Sequence, residues 1–330
     1  MSATAQTVEP RATRPTWRTL LRDQPLIPLS ILLILLVGVV WAFSPQTRNL
    51  GWVGVILRAS VPLAILAGCE TLTMLTGGID LSVGFIASMA GFVTATFVNQ
   101  PGGWPLGVAV ALGAAALAGL VSGIGVGVFR VHPLIVTLGM GLVVLGFSNV
   151  WQLKMLQTGA GIPPELRTLG SGLWADVVPY SLIIFVPVAL LIVFGLRRTG
   201  YGRMLYAIGD NPVAARLSGV RSWQVLILLY VISAVLAAIA GLIYAGLSNT
   251  ASVTLVAEQL LPAVAAAVIG GTSILGGRGS YTGTMLGAVI LTVLGALLTI
   301  LLLPEPWRQI VFGAIVVFVA AAYTRATAES

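Results

Sequence analysis

Two acids stand out because nearly every neighbour is apolar. Glu70 lies in the run Leu63 to Leu75 with no other charge near it. Ten positions on, Thr76-Gly77-Gly78-Ile79-Asp80-Leu81-Ser82-Val83-Gly84 adds a second acid, two hydroxyls and three glycines. An acid at the centre of a bilayer costs about 2.5–3.5 kcal/mol on insertion scales, so both should face protein or water. Glu70 is therefore a candidate for handling a solute or a proton, and it could equally be a hydrogen-bond partner between helices. Non-helical backbone at membrane depth is tolerated only where it lines a cavity or is buried in protein. That makes Gly77, Gly78, Asp80, Ser82 and Gly84 candidates for a gate or pathway. The bland alternative is a tight cytoplasmic turn in which Asp80 or Ser82 caps the next helix.

A second group lies in Thr199 to Gly219, which reads as two short helices. Gly209 is expected to stop the first. Asn211 caps the second, Pro212 takes its first position and Gly219 ends it. The second helix is about 11 Å long at 1.5 Å per residue, too short to span. Val213 and Leu217 share one face at i, i+4, and Ala214 and Ala215 add little bulk. Such a knob suits docking into a groove of another protein; the alternative is an amphipathic piece lying on lipid headgroups. Gly202, Arg203, Gly209, Asn211, Ala214, Ala215, Arg216, Leu217 and Gly219 are the residues that would couple it to a partner.

A third group, Gly270-Gly271-Thr272-Ser273 within Val268 to Ser280, is not a phosphate loop, since no Gly-Lys-Ser/Thr follows a strand. Gly270 and Gly271 join the pathway candidates. With no nucleotide site recognisable, any ATP that drives the protein must sit in a partner. One cysteine, Cys69, and one histidine, His132, offer neither an internal disulfide nor a metal site.

The elements that carry these groups follow from composition. Of 330 residues, 58% are hydrophobic and only 8% charged, against roughly a quarter charged in a soluble domain. The expected fold is all-α, a polytopic transmembrane bundle of about ten spans with one or more interrupted helices. The spans are expected near 26–43, 52–75, 79–98, 105–129, 133–153, 178–196, 222–247, 259–275, 281–303 and 307–323. The first, after four arginines, has no small-x-small cleavage signature and is read as a retained helix. Residues 1–25 and 324–330 are then tails around a membrane domain of 26–323.

Charge orients the chain. With the N-terminus inside, Arg11, Arg14, Arg18, Arg22, Arg130, Arg197, Arg198, Arg203, Arg216, Arg221, Arg278 and Arg325 are cytoplasmic. Arg48, Arg58, Lys154, Arg167 and Arg308 are outside. The bias puts both termini in the cytoplasm, loop 197–221 inside and loop 154–177 outside. These basic residues occupy short gaps without exposed aromatic partners, which argues against nucleic acid and for an anionic membrane surface. A faint repeat also appears: Gly77-Gly78, five residues, Gly84 recurs as Gly276-Gly277, five residues, Gly283. Repeated halves are common in transporters.

At these segments the chain resembles the integral-membrane permeases of bacterial ABC sugar importers, the ribose-type branch of the branched-chain amino acid/monosaccharide permease superfamily. The specific pieces are Gly77 to Gly84, Tyr206 to Asn211 with Ala214 to Gly219, Pro133-Leu134-Ile135-Val136-Thr137-Leu138-Gly139, and Gly270 to Ser273. The chain departs from the family pattern at Gln259-Leu260-Leu261-Pro262, where a Tyr-Glu-Leu-Asp-like stretch is frequent, and at Cys69-Glu70, where Gly-Met is common. The resemblance implies a non-catalytic inner-membrane subunit, working as a pair of permease copies or homologues. It also implies a separate ATPase holding ATP and Mg at loop 200–219, and a periplasmic solute-binding protein on the other face. Two other classes remain: an ion-coupled secondary transporter using Glu70 and Asp80, or an ABC permease for a non-sugar solute such as an amino acid.

Overall fold

A computed structural model describes residues 26–155 and 159–328. The arginine-rich tail 1–25, residues 156–158 and the last two residues lie outside the described part. The described chain is a helical bundle: α1 Leu26–Phe43, α2 Leu50–Met74, α3 Val83–Thr96, α4 Gly103–Gly127, α5 Pro133–Met155, α6 Pro164–Ser171, α7 Leu182–Arg198, α8 Gly200–Asp210, α9 Pro212–Leu217, α10 Ser222–Ser248, α11 Leu260–Ile269, α12 Tyr281–Ile300 and α13 Glu305–Ala328. A two-residue hairpin pairs Leu173–Trp174 with Val178–Pro179, and a single 3₁₀ turn, Ala257–Gln259, precedes α11. Apolar runs become helices here because helices satisfy their own backbone groups, which lipid does not.

Not every one of the ten expected spans is a continuous long helix. Among the described residues, six helices are long and apolar enough to cross a membrane, or seven if α7 and α8, bent by 68°, form one span. The segments expected at 79–98 and 259–275 hold helices of only 14 and 10 residues, about 21 and 15 Å long. Glycine-rich, non-helical backbone at 75–82 and 270–280 supplies the rest of each path. The stretch expected as a loop at 154–177 contains α6 and the first hairpin strand, and α13 runs on to Ala328 into what reads as a tail.

The bundle is arranged around α10, which packs against α2, α3 and α4. From Ser60 to Met74 every residue of α2 is buried, and α3 is buried at all but one position. A helix apolar all round belongs inside a protein. The outer helices behave differently: Ile34 and Leu35 on α1, Ile135 and Val143 on α5, and Leu190 and Leu191 on α7 are exposed. Apolar surface on that scale needs lipid or another subunit against it.

Small residues let the inner helices touch. Methyl groups on Gly119 and Gly123 of α4 would run into the α10 backbone at Tyr230 and Ile227, as the spacing Gly119-x-x-x-Gly123 suggests. At Gly241 of α10 a methyl would overlap the Ala87 carbonyl of α3, whereas Gly113 faces open space. Gly241→Ala should therefore lower the thermal unfolding midpoint in detergent, an overpacking cost of about 1–3 kcal/mol. Gly113→Ala should hold or raise that midpoint, by up to about 1 kcal/mol of helix propensity.

Candidate functional site: a joint between an exposed knob and two broken spans

α8 and α9 form a hairpin-like knob at one end of the bundle. Thr199 Oγ1 opens α8 by accepting the Gly202 N–H at 3.2 Å. Gly202 is buried against the Gly195 and Leu196 backbone. Gly209 does not stop α8; the helix continues through Asp210, and Asn211 ends it by donating its N–H to the Ala207 carbonyl at 3.1 Å. Asn211 then opens α9, its Oδ1 accepting the Val213 and Ala214 N–H groups at 3.0 and 2.9 Å. Pro212 holds the first position and Gly219, at φ +86°, leads away from the end. Ala215 is buried, while Val213 and Leu217 are 55% and 85% exposed. Ala214, Arg203 and Arg216 are exposed too. Beside α9 a cleft of about 840 Å³ is lined by Arg130, His132, Arg216 and Arg221 over an apolar floor.

The reason for glycine at 209 is contact. A methyl group there would overlap the Leu75 carbonyl oxygen and crowd the Gly277 N–H. Those two groups are bonded to each other, Gly277 N–H donating to Leu75 O at 3.0 Å. Tyr206 OH donates to the Gly279 carbonyl at 2.8 Å. Gly77 and Gly277 have φ of +78° and +72°, a region that disfavours side chains with a Cβ. The paired glycines of the sequence repeat thus lie together, and the knob is seated on both of the segments that interrupt spans.

From this joint the chain re-enters the bundle through Asp80, which is 1% exposed. Asp80 Oδ1 accepts from the Ser82 N–H at 3.1 Å and from Ser82 Oγ. Its other oxygen accepts from Ser233 Oγ of α10 at 3.1 Å. Glu70 Oε2 accepts the Asp80 N–H at 3.3 Å. Glu70 stands one turn before the end of α2 rather than mid-helix. Neither Asp80 nor Ser82 makes the expected cap: Ser82 precedes α3 with no side-chain cap bond, and Asp80 braces the segment as a whole. Thr137 on α5 holds the other edge, accepting the Leu81 N–H at 3.1 Å and donating to the Ile79 carbonyl at 3.2 Å.

Past Ser82 the path reaches the far end. Gly84 lets the start of α3 press against Ala257, and Ser88 Oγ accepts the Val256 N–H at 2.8 Å. In the second broken segment Gly270 packs on the first turn of α12, and Gly271 takes φ +89°. Thr71 and Thr284 share a hydrogen bond of 2.6 Å between α2 and α12. Thr137 lies in the motif Pro133 to Gly139 noted in the sequence, whereas Ser88, Ser233 and Thr284 were not singled out; their available signal was a lone hydroxyl inside an apolar run. No group of three or more His, Cys, Asp or Glu able to hold a metal occurs among the described residues.

The chain as a whole resembles known sequences. Residues 53–320 match the family described as branched-chain amino acid transport system / permease component. The chain belongs to this permease family. The fructose import permease of Rhizobium meliloti is 32% identical over 306 residues, covering 89% of this chain and 84% of its own. The ribose import permease of Escherichia coli K12 is 34% identical over 291 residues, covering 87% and 89%. An autoinducer 2 import permease of Enterobacter sp. strain 638 is 32% identical over 300 residues, covering 90% and 85%. No solved structure matches. The permease is thus the non-catalytic, multi-pass membrane subunit of an ABC importer.

The buried brace makes a direct prediction about this permease. Ser233→Ala should leave an Asp80 oxygen without its donor and cost about 1–3 kcal/mol, seen as a lower unfolding midpoint in detergent. Ser218→Ala, on the exposed knob, should leave the midpoint within measurement error.

Proposed function

We propose that the permease forms the translocation pathway for a monosaccharide and takes its power from ATP and Mg held by an ATPase docked on α8 and α9. Fructose and ribose, named for two relatives, are small polyhydroxylated sugars. In this reading the knob end is cytoplasmic, as are both termini, and the protein lies in the bacterial inner membrane as one of a pair of permeases surrounded by lipid. A periplasmic solute-binding protein delivers sugar at the opposite end. The exposed Val213 and Leu217 enter a groove of the ATPase, and Arg203 and Arg216 suit an acidic rim around it.

The observation that carries the proposal is the seating of Gly209 on Leu75 and Gly277. ATP binding moves the knob as a rigid body, and that contact passes the movement to both broken segments. Gly77, Gly78, Asp80, Ser82 and Gly84, with Gly270 and Gly271, are the parts that shift. Because those segments are non-helical, they can move without breaking a helix ladder.

Gly209→Leu should abolish sugar uptake and the stimulation of ATP hydrolysis in the reconstituted importer, while the permease still reaches the membrane. Undiminished uptake in that variant would sink the docking idea. Leu217→Asp should weaken co-purification of the ATPase about a hundredfold, as burying an unpaired charge at a contact costs about 3 kcal/mol.

One observation favours a second reading, proton-coupled uptake: Glu70 Oε1 is buried without a hydrogen-bond partner. Glu70→Gln keeps an oxygen for the Asp80 N–H and removes the ionisable group. The ATP-driven reading expects uptake to persist in that variant. Lost uptake with unchanged ATP hydrolysis, and uptake that follows a proton gradient without ATPase, would favour the proton. Labelled leucine in the same assay tests the amino-acid alternative.

A further inference from the structure

The chemistry at the end opposite the knob differs from that of the other clefts. A cavity of about 310 Å³ opens there between α2, α10, α12 and α13 and the turn before α11. Its polar groups are a carboxylate (Glu258), an amide (Gln259), a guanidinium (Arg308), a phenol (Tyr244) and a threonine hydroxyl (Thr292), with the ring of Phe312 beside them. Gln259 Nε2 donates to Tyr244 OH at 3.3 Å, which fixes both groups relative to each other before any ligand arrives. Thr292 donates to the Ala288 carbonyl at 2.8 Å, leaving its oxygen turned to accept. By contrast, the cleft between α1, α12 and α13 is walled by Leu32, Leu36, Ile290, Leu294 and Phe318 and offers no such groups. The first suits a polar solute and the second an acyl chain.

We propose that the 310 Å³ cavity holds the monosaccharide as it enters the permease, an inference that rests on the sugar-import reading above. The volume lies at the lower end for small-molecule sites, about 300–1,000 Å³. Each hydroxyl of a sugar both donates and accepts. A carboxylate, a guanidinium, an amide and two side-chain hydroxyls supply both functions within one wall. The ring faces of Tyr244 and Phe312 match the C–H faces that a sugar also presents.

The cavity is also joined to the knob. Glu258 and Gln259 sit on the turn Ala257–Gln259, which α3 grips through Gly84 at Ala257 and Ser88 at Val256. α3 is the direct continuation of the segment that meets Gly209 at Leu75. A shift of the knob therefore moves one wall of the cavity, and sugar is gripped or released with the state of the ATPase.

The test uses the complete importer in proteoliposomes, with labelled ribose, fructose and a panel of other pentoses and hexoses. The quantity read is sugar imported per ATP hydrolysed above the basal rate of the ATPase, which a general loss of folding or docking does not selectively lower. Gln259→Leu and Thr292→Val keep shape and remove hydrogen-bonding groups. Each should lower the ratio about tenfold, the expected effect of one unmet partner in a polar site. Ratios within twofold of the unsubstituted importer in both variants would overturn the site while leaving the sugar-import reading intact. An unsubstituted importer that hydrolyses ATP yet imports no sugar of the panel would remove that reading, and this site with it. If Gln259→Leu does not reach the membrane, labelling decides: Thr292→Cys in a Cys69→Ser background should react more slowly with a maleimide when saturating transported sugar is present. An unchanged rate would overturn the proposal.

Discussion

Hydrocarbon offers backbone groups no water, and that one constraint organises the protein. The two non-helical segments, 75–82 and 270–280, can exist at depth only because the bundle supplies partners for them. Asp80 braces Ser82 and is itself held by Ser233; Glu70 takes the Asp80 N–H, and Thr137 accepts the Leu81 N–H and donates to the Ile79 carbonyl. The burial of α2 from Ser60 onward and of nearly all of α3 follows from the same need. The outer helices, free of it, keep leucines and isoleucines exposed. Glu70 and Asp80, which look anomalous as charges in an apolar run, are the groups that make a broken span affordable in free energy.

A broken span is useful because it separates stiffness from motion. α8 is a rigid rod with a capped end, and α9 is pinned by Asn211 at one end and by buried Ala215 beneath. The segments it rests on lack the hydrogen-bond ladder that makes a helix resist bending. Displacing a rod against soft backbone moves the backbone, and glycine at 209 brings the two close enough for that transfer. A larger residue would hold them apart by its own bulk. Positive φ at Gly77 and Gly277 lets the receiving loops turn sharply enough to present their carbonyl and amide to the knob.

Local chemistry was legible in the sequence and long-range contact was not. Asn211, Pro212 and Gly219 mark the ends of α9 through bonds within a few residues of themselves, so the reading of α9 and of its exposed Val213–Leu217 face holds. Gly209 was read by the same local logic as a helix stop, but its reason lies at Leu75 and Gly277, far away in the chain. The bounds of two expected spans differ from the helices found there for a related cause. A hydropathy window sees an apolar stretch at 259–275 and cannot tell a spanning helix from a 10-residue helix followed by buried loop. The two glycine pairs were noticed as a repeat, yet only the fold shows that they touch.

The polar residues missed in the sequence trace a line that the noticed ones do not complete. Asp80 and Ser82 lie near one end of it, Ser88 bonds Val256 further along, and Gln259 meets Tyr244 at the far end. These links join broken-span elements to one another, to an intact helix or to the turn before α11. A hydroxyl in lipid is worth keeping only if it finds a partner, since leaving one unmet there costs several kcal/mol by transfer to hydrocarbon. Ser88, bonded to the Val256 N–H, and Thr96, accepting from Trp151 Nε1, hold α3 on two sides, as suits an element that shifts as a unit rather than bends. That is what a connection between a knob at one face and a polar cavity at the other requires: a stiff middle, with its soft joint placed at the knob.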